Sequence, residues 1–404
     1  TMYQKDLVRV EWWQECALHF LAVLLSNFLS EERFRFDNYT LYKVLPNNLE
    51  QIKLLNNLQE SDLRYDFWTD PVPSAKFCFV FNSKILNYSR AIEKETVKTY
   101  TRNNLRSMQW DGYYNLDAIN AWIDDLAATY PDIVTVIIGG TSYEGRQIKG
   151  LKISHGAGRR IVFLEGGIHS REWISPATVN YITNELLTSD DDETKAAARD
   201  FDWYIFPVTN PDGYIWSHEQ FRLWRKNRRP IDGTNFGVDL NRNWNNNWLV
   251  AGSSINPATE NYAGLGPFSE PESRTLSSYI SSIGDKIDMY LSFHSFSELL
   301  LLPFGNTSQP LMSIGRRAMG ALSVKYGTTY VTGNIAEAIY EATGGSIDWV
   351  KESLQVPLVY CYELRDRGTY GFLLPADQIL PNNEEVMDSG MLLTETVVKH
   401  HVKI

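Results

Sequence analysis

Ile161-Val162-Phe163-Leu164-Glu165-Gly166-Gly167-Ile168-His169-Ser170-Arg171-Glu172 sets the reading of this chain. A β-branched apolar run of four residues predicts a buried strand. The two glycines predict a tight turn at its carboxyl end. His169 and Glu172, three residues apart on that turn, can reach one small cation, and imidazole with carboxylate suits zinc. Two ligands do not complete a site. A third must come from elsewhere, with an open position and a base beside it.

Working outward, strand patterns recur at 133–138, 148–153, 161–164, 203–208, 289–293 and 356–362, and helical patterns separate them. Asn115 is placed to cap a helix with apolar positions Leu116, Ile119, Ile123 and Leu126, closed by Pro131. Ser175-Pro176 reads as a helix start, a cap followed by proline in the first turn. A last helix is expected over 384–401. The alternation predicts an α/β fold with a large central sheet.

Among the seven histidines, His294 stands apart because it ends the apolar run Met289-Tyr-Leu-Ser-Phe293. Sites in α/β sheets gather at the carboxyl ends of strands. His169, Glu172 and His294 therefore make a candidate His₂Glu set, with a fourth position left open. His19, His155, His400 and His401 read as ordinary surface or hydrogen-bonded residues. Asp239 is a candidate acceptor for a ligand histidine. Glu363 also follows an apolar run. It reads either as a general base or as a salt-bridge partner of Arg365 or Arg367.

The net charge of −11 disfavours a nucleic-acid or anionic-membrane partner. Cys16, Cys78 and Cys361 form no C-x-x-C pair, so a thiolate metal site is not expected. The apolar segment 16–29 is too short to span a bilayer as written and has the length of a signal-peptide core, though an ordinary buried helix also fits. Asn38, Asn87 and Asn306 head glycosylation acceptor tripeptides. Leu49, Ile52, Leu55 and Leu58 give one face of a helix between strand-like runs at 39–45 and 76–81. Residues 89–107 are polar and charged and read as an exposed connector. The expected organisation is a leader in 1–35, a small domain with its connector in 36–106, and the main domain in 107–404.

Many separate pieces, in order, resemble the zinc metallocarboxypeptidase family, the digestive A/B type made as a proenzyme. They are Thr141-Ser-Tyr-Glu-Gly-Arg146, His169-Ser-Arg-Glu172, Asn210-Pro-Asp-Gly213, Arg222-Leu-Trp-Arg-Lys226, Gly237-Val-Asp-Leu-Asn-Arg-Asn-Trp244, Phe293-His-Ser295, Gly344-Gly-Ser-Ile-Asp-Trp349 and Glu363-Leu-Arg-Asp366. The match covers roughly residues 108–400 and implies the family's fold, a central mixed sheet of about eight strands flanked by helices. The resemblance implies one zinc ion per chain, held by His169, Glu172 and His294. It implies Glu363 as catalytic glutamate and Arg225 as the arginine facing the scissile carbonyl. Arg242, with Asn241 and Tyr340, would take the substrate's terminal carboxylate, and Arg171, Ser295, Phe296 and Phe372 would line the groove. Ile347, Gly305, Ile335 and Ala342 match the side-chain pocket. With no carboxylate at 347, an A-type preference for aromatic and large aliphatic C-terminal residues is expected.

The resemblance further implies a secreted, monomeric zymogen, plausibly of a digestive lumen, that acts on peptide and protein C-termini. A trypsin-like protease would activate it at Arg102 or Arg106, and proteinaceous carboxypeptidase inhibitors are candidate partners. The chain departs from the family in three places. Phe296 stands where tyrosine is common, and Asn235 where a disulfide cysteine would be. The α+β activation domain looks abbreviated after 75. A silent peptide-binding relative and a different zinc hydrolase, such as an aminoacylase, are the competing readings. Retention of Glu363, Arg225 and the ligands opposes the first, and the set Asn241, Arg242 and Tyr340 opposes the second.

Overall fold

The computed structural model describes residues 33–36, 39–44, 52–53, 55, 65–67, 78–82, 97–98, 108–303, 308–338 and 341–400. The chain divides into two compact units, Thr1–Ile85 and Leu86–Ile404. In the first, β1 (Arg33–Phe36), β2 (Tyr39–Val44), β3 (Tyr65–Phe67) and β4 (Cys78–Asn82) form an antiparallel sheet in the order β1-β2-β4-β3. Ile52 and Leu55 are helical and buried while Lys53 is exposed, as their spacing predicts. The apolar segment 16–29 and the acceptor residues Asn38, Asn87 and Asn306 lie outside the described residues.

The second unit begins with a two-residue parallel pairing of β5 (Val97–Lys98) and β6 (Tyr113–Tyr114). Lys98 lies within the expected connector, and its ammonium pairs with Asp111 and donates to Gln109 Oε1 at 3.1 Å. The body of the unit is one mixed sheet. Its strands are β7 (Val134–Thr141), β8 (Gln147–Ile153), β9 (Arg160–Glu165), β10 (Phe201–Phe206), β11 (Ile287–Ser295), β12 (Leu299–Leu302), β13 (Val331–Asn334) and β14 (Leu358–Leu364). They run in the order β13-β12-β14-β11-β9-β10-β8-β7. The expected eight-stranded mixed sheet is present. The pattern at 299–302 and 331–334 was too short to read, so β12 and β13 are additions.

The central strands β14, β11, β9 and β10 are mutually parallel. Successive residues alternate between two cores. Val162 and Leu164 pack on one face with Met289, Leu291, Tyr360 and Tyr362. Ile161 and Phe163 pack on the other with Tyr290, Val359 and Cys361. Burial on both faces explains why these strands read as near-continuous apolar runs. Each large apolar side chain so buried contributes about 1.5–3 kcal/mol.

Helices cover both faces: α1 (Leu116–Thr129), α2 (Ile174–Thr188), α3 (Asp192–Asp200), α4 (Pro211–Glu219), α5 (Pro271–Ile283), α6 (Gln309–Tyr326), α7 (Ile335–Ala338), α8 (Ser346–Leu354) and α9 (Ile379–His400). Asn115 caps α1 as expected, accepting from the Ala118 amide at 3.0 Å. Ser175 does not cap α2. That helix starts at Ile174, and the Ser175 hydroxyl accepts from Gly167 N at 2.9 Å and donates to Phe293 O at 2.6 Å. Its short side chain serves tertiary contacts because it is buried beside two backbone groups that need partners.

Candidate active site

The parallel strands place their carboxyl ends together. Ser292 on β11 is in register with Glu165 on β9, and His294 is in register with Glu363 on β14. Register partners project to the same face. After β9 the chain turns through Gly167, whose φ of +62° is open to glycine, and a Cβ there would lie 3.0 Å from Pro207 O. This turn carries His169 and Glu172 across to His294.

His169 Nδ1 lies 2.8 Å from Glu172 Oε1 and 3.0 Å from His294 Nδ1, and His294 Nδ1 lies 3.1 Å from Glu172 Oε2. All three side chains are buried, and their donor atoms fall within 4.8 Å of one another. Two imidazole nitrogens and a carboxylate at these separations suit one four-coordinate zinc with Zn–N of about 2.0–2.1 Å. His169 Nε2 lies 3.1 Å from Asp239 Oδ1. With Nδ1 turned to the cation, Nε2 carries the proton and donates to that carboxylate.

Burial alone would raise the Glu172 and Asp239 carboxyls, but neighbouring charge overcomes it. His169 and His294 pull Glu172 down. Arg225 and His169 hold Asp239 well below the usual carboxylate range. Arg225 donates to Asp239 Oδ2 through Nε at 3.1 Å and through a terminal nitrogen at 2.9 Å. Its other terminal nitrogen is 3.7 Å from Glu172 Oε1. Asp239 thus aligns a histidine and an arginine with its two oxygens.

Glu363 does not form the salt bridge left open by its sequence. Arg365 pairs with Glu385 at 2.5 Å, and Arg367 with Glu298 at 2.7 Å. The Glu363 carboxyl is raised, first by burial and further by the Glu172 charge, against the pull of His294.

Arg242 is buried, with Nε donating to Gly252 O at 2.8 Å and a terminal nitrogen to Asn241 O at 2.9 Å, which sets the plane of the guanidinium. Gly344 passes so close that a Cβ would lie 2.5 Å from Arg242 O. Asn241 Oδ1 accepts from Ser346 N at 3.0 Å, and its amide lies 3.4 Å from His294 Nε2. Ile347 and Ala342 are buried, and Ile335 and Ile347 belong to one apolar cluster. Tyr340 and Gly305 lie outside the described residues.

Arg171 is buried, its guanidinium 4.3 Å from the Phe372 ring and 3.3 Å from Glu260. Phe372 meets Phe296 edge to face at 5.0 Å. The Ser295 amide donates to Glu172 Oε2 at 3.3 Å. His169, Glu172 and His294 come together in one buried group, with Asp239, Arg225, Asn241 and Ser295 in contact with it.

Several contributors gave no readable signal. Glu165 accepts from Ser292 Oγ at 2.8 Å and Ser346 Oγ at 2.6 Å, tying the strand of His294 to the helix of Ile347. Arg222 and Glu260 support Arg171. Only the conjunction of a buried charge with a strand end would have marked Glu165.

Residues 119–389 match the family model described as zinc carboxypeptidase, and residues 42–82 match that described as carboxypeptidase activation peptide. Zinc carboxypeptidase A 1 of Anopheles gambiae is 40% identical over 95% of each chain. The crystal structure of carboxypeptidase A from Helicoverpa armigera superposes with a TM-score of 0.80 at 28% identity, over 91% of this chain and 99% of that one. Bovine thrombin-activatable fibrinolysis inhibitor, solved in complex with tick carboxypeptidase inhibitor, superposes with a TM-score of 0.67 at 34% identity, over 72% of this chain and 99% of that one.

Proposed function

The chain belongs to the zinc carboxypeptidase family, and on that premise we propose that it removes C-terminal residues with aromatic or large aliphatic side chains. The enzyme is a zinc metallopeptidase with an activation peptide, and hence a zymogen. The observation that supports the peptidase chemistry is the convergence of His169, Glu172 and His294 on one point, with Arg225 beside Glu172 and Glu363 in register with His294, and the side-chain preference rests on the buried, apolar Ile347. Zinc held by His169, Glu172 and His294 would supply a Lewis acid for the scissile carbonyl and the attacking water.

The remaining roles belong to the protein. Glu363, in register with His294, takes the proton of the attacking water and returns it to the departing amine. Arg225, held by Asp239, faces the developing oxyanion and contributes roughly 3–4 kcal/mol to the transition state, by analogy with other oxyanion donors. Arg242 presents a planar fork to the substrate carboxylate, with Asn241 and Tyr340 beside it. Ile347, Ile335, Ala342 and Gly305 form the side-chain pocket. A charged C-terminal side chain buried there without a partner loses roughly several kcal/mol of solvation, so apolar side chains are preferred.

The expected leader 1–35 overlaps β1, which pairs with β2 in the first sheet, so the leader for secretion is taken to end before Arg33, with activation domain and connector running to 106 and a monomeric catalytic domain over 107–404. A trypsin-like protease cuts at Arg102 or Arg106. Proteinaceous carboxypeptidase inhibitors are expected partners, since the bovine relative is solved in complex with tick carboxypeptidase inhibitor. Among the described residues no helix is long and apolar enough to cross a membrane.

Blocked dipeptides ending in Phe, Leu, Lys and Glu, assayed before and after trypsin and with a zinc chelator, test this reading. Trypsin-dependent, chelator-sensitive cleavage of Phe and Leu is expected. Faster cleavage of Lys than of Phe would overturn the pocket assignment. Ile347→Asp should reverse the order by supplying a carboxylate to a basic side chain; an unchanged order would place the pocket elsewhere.

A further inference from the structure

Arg222 is almost completely buried, at 3% exposure, in the motif that also holds Arg225. Its guanidinium stacks on the Trp173 ring at 3.6 Å. The His218 ring lies parallel to Trp173 at 3.8 Å, and the two groups cannot share a face at such distances, so the indole is sandwiched. The indole nitrogen donates to Ser217 Oγ at 2.9 Å. With stacking and this bond, Trp173 has little freedom to turn, and it immediately follows Glu172.

From this stacked position the guanidinium donates in two directions. One terminal nitrogen reaches Arg171 O at 2.7 Å, and the other reaches Phe372 O at 2.7 Å. Arg171 belongs to the turn after β9, and Phe372 to the 3₁₀ turn Gly371–Leu373 after β14. The bond to Phe372 spans 150 residues of sequence. The two side chains fixed in this way meet each other, Arg171 over the Phe372 ring, and Phe372 also meets Phe296. A planar cation with donors at both ends suits this task; a point ammonium does not.

We propose that Arg222 is a positioning residue for the upstream half of the substrate groove: it ties the turn of Arg171 to the turn of Phe372, so that Arg171, Phe296 and Phe372 form one preset surface for residues preceding the scissile bond. The inference rests on the exopeptidase reading above. It assigns Arg222 no contact with substrate. A residue acting in this way bears more on the recognition of long peptides than on that of short ones.

The test compares a blocked dipeptide with a blocked tetrapeptide sharing its last two residues, in trypsin-activated full-length protein. In Arg222→Met, loss of two charge-assisted bonds is expected to raise KM for the tetrapeptide about tenfold while KM for the dipeptide changes by less than about twofold. Arg222→Lys, which keeps the charge and one donor, should recover part of the loss and serves if the methionine variant does not fold. Combining Arg222→Met with Phe372→Ala should weaken tetrapeptide binding no further than the stronger single change, because both act on one surface. Equal losses on both substrates, an unchanged tetrapeptide KM, or fully additive losses would each overturn the proposal. If the parent enzyme cleaves neither substrate, the exopeptidase reading fails and the inference falls with it. If the parent cleaves both and the length dependence is absent, only the inference fails.

Discussion

Glu363 and Ser175 show two ways in which one side chain acquires its role. Glu363 stands one residue from the end of a buried strand, beside two arginines in sequence. Those arginines pair with Glu385 and Glu298 instead, and the carboxyl faces the metal cluster through its register with His294. Glu363→Gln keeps shape and loses the proton carrier. We expect kcat to fall by about 10²–10⁴-fold with zinc content retained, measured by turnover and metal analysis of the same preparation. A variant with near-parental kcat would exclude the assigned role.

Ser175 acts on the metal turn through two hydrogen bonds, to Gly167 and Phe293. Ser175→Ala leaves a buried amide and a buried carbonyl each short of a partner. A stability loss of about 1–3 kcal/mol follows, read from urea unfolding. Zinc should also leave faster in chelator competition, since the turn presents His169 and Glu172. An unchanged unfolding midpoint together with unchanged zinc release would remove the turn-anchoring role.

At the level of strands, loops and helices, local pattern and long-range packing divide the work. The Gly237 segment lacks the family's usual disulfide, with Asn235 in place of a cysteine. The preceding loop closes by hydrogen bonds: Asp232 accepts from the amides of Thr234 at 2.8 Å and Asn235 at 2.7 Å, and from Asn235 Nδ2 at 2.9 Å. This Asx-type turn orders the loop locally.

Helix α5 opens on a buried carboxyl of a different kind. Glu272 accepts from Tyr143 N at 3.0 Å and receives the Asn227 amide at 3.3 Å. Its pKa is pushed up from 4.5 to about 7, first by burial and then by the charges of Glu270 and Asp212, against the Tyr143 bond. A raised carboxyl binds its proton more tightly when folded. Its effect is absent below the unfolded value, and stability is lost as pH rises from about 4.5 through about 7. The full loss is about 3 kcal/mol above that window. Glu272→Gln should flatten the decline between pH 5 and 8 in unfolding midpoints. A parallel decline in the variant would show that another group carries it.

Across the chain, fold and function meet at the metal. Three ligands from two distant segments close one point, so occupancy links the β9 turn to β11. Stripping zinc should abolish peptidase activity and lower Tm, with both restored by zinc alone. At a hundredfold excess of zinc over its Kd the gain is about 2.7 kcal/mol. A Tm indifferent to zinc would mean that the ion adds nothing to the fold.

Much of this was legible from the residues in order. Apolar runs bounded by glycine and proline announced the central strands, because a strand buried on both faces needs apolar side chains at every position. The spacing of His169 and Glu172 announced a ligand pair, because both lie on one turn. Asn115 announced a helix start, because a cap acts on an amide three residues away. These are short-range effects, and a linear text records them. The short strands β12 and β13, the use of Ser175 as a brace, the partners of Arg365 and Arg367, and the tie from Arg222 to Phe372 emerged only from folding. In each, the deciding partner lies tens or hundreds of residues away, and burial, by removing water as the alternative partner, selects one contact among many that the composition permits.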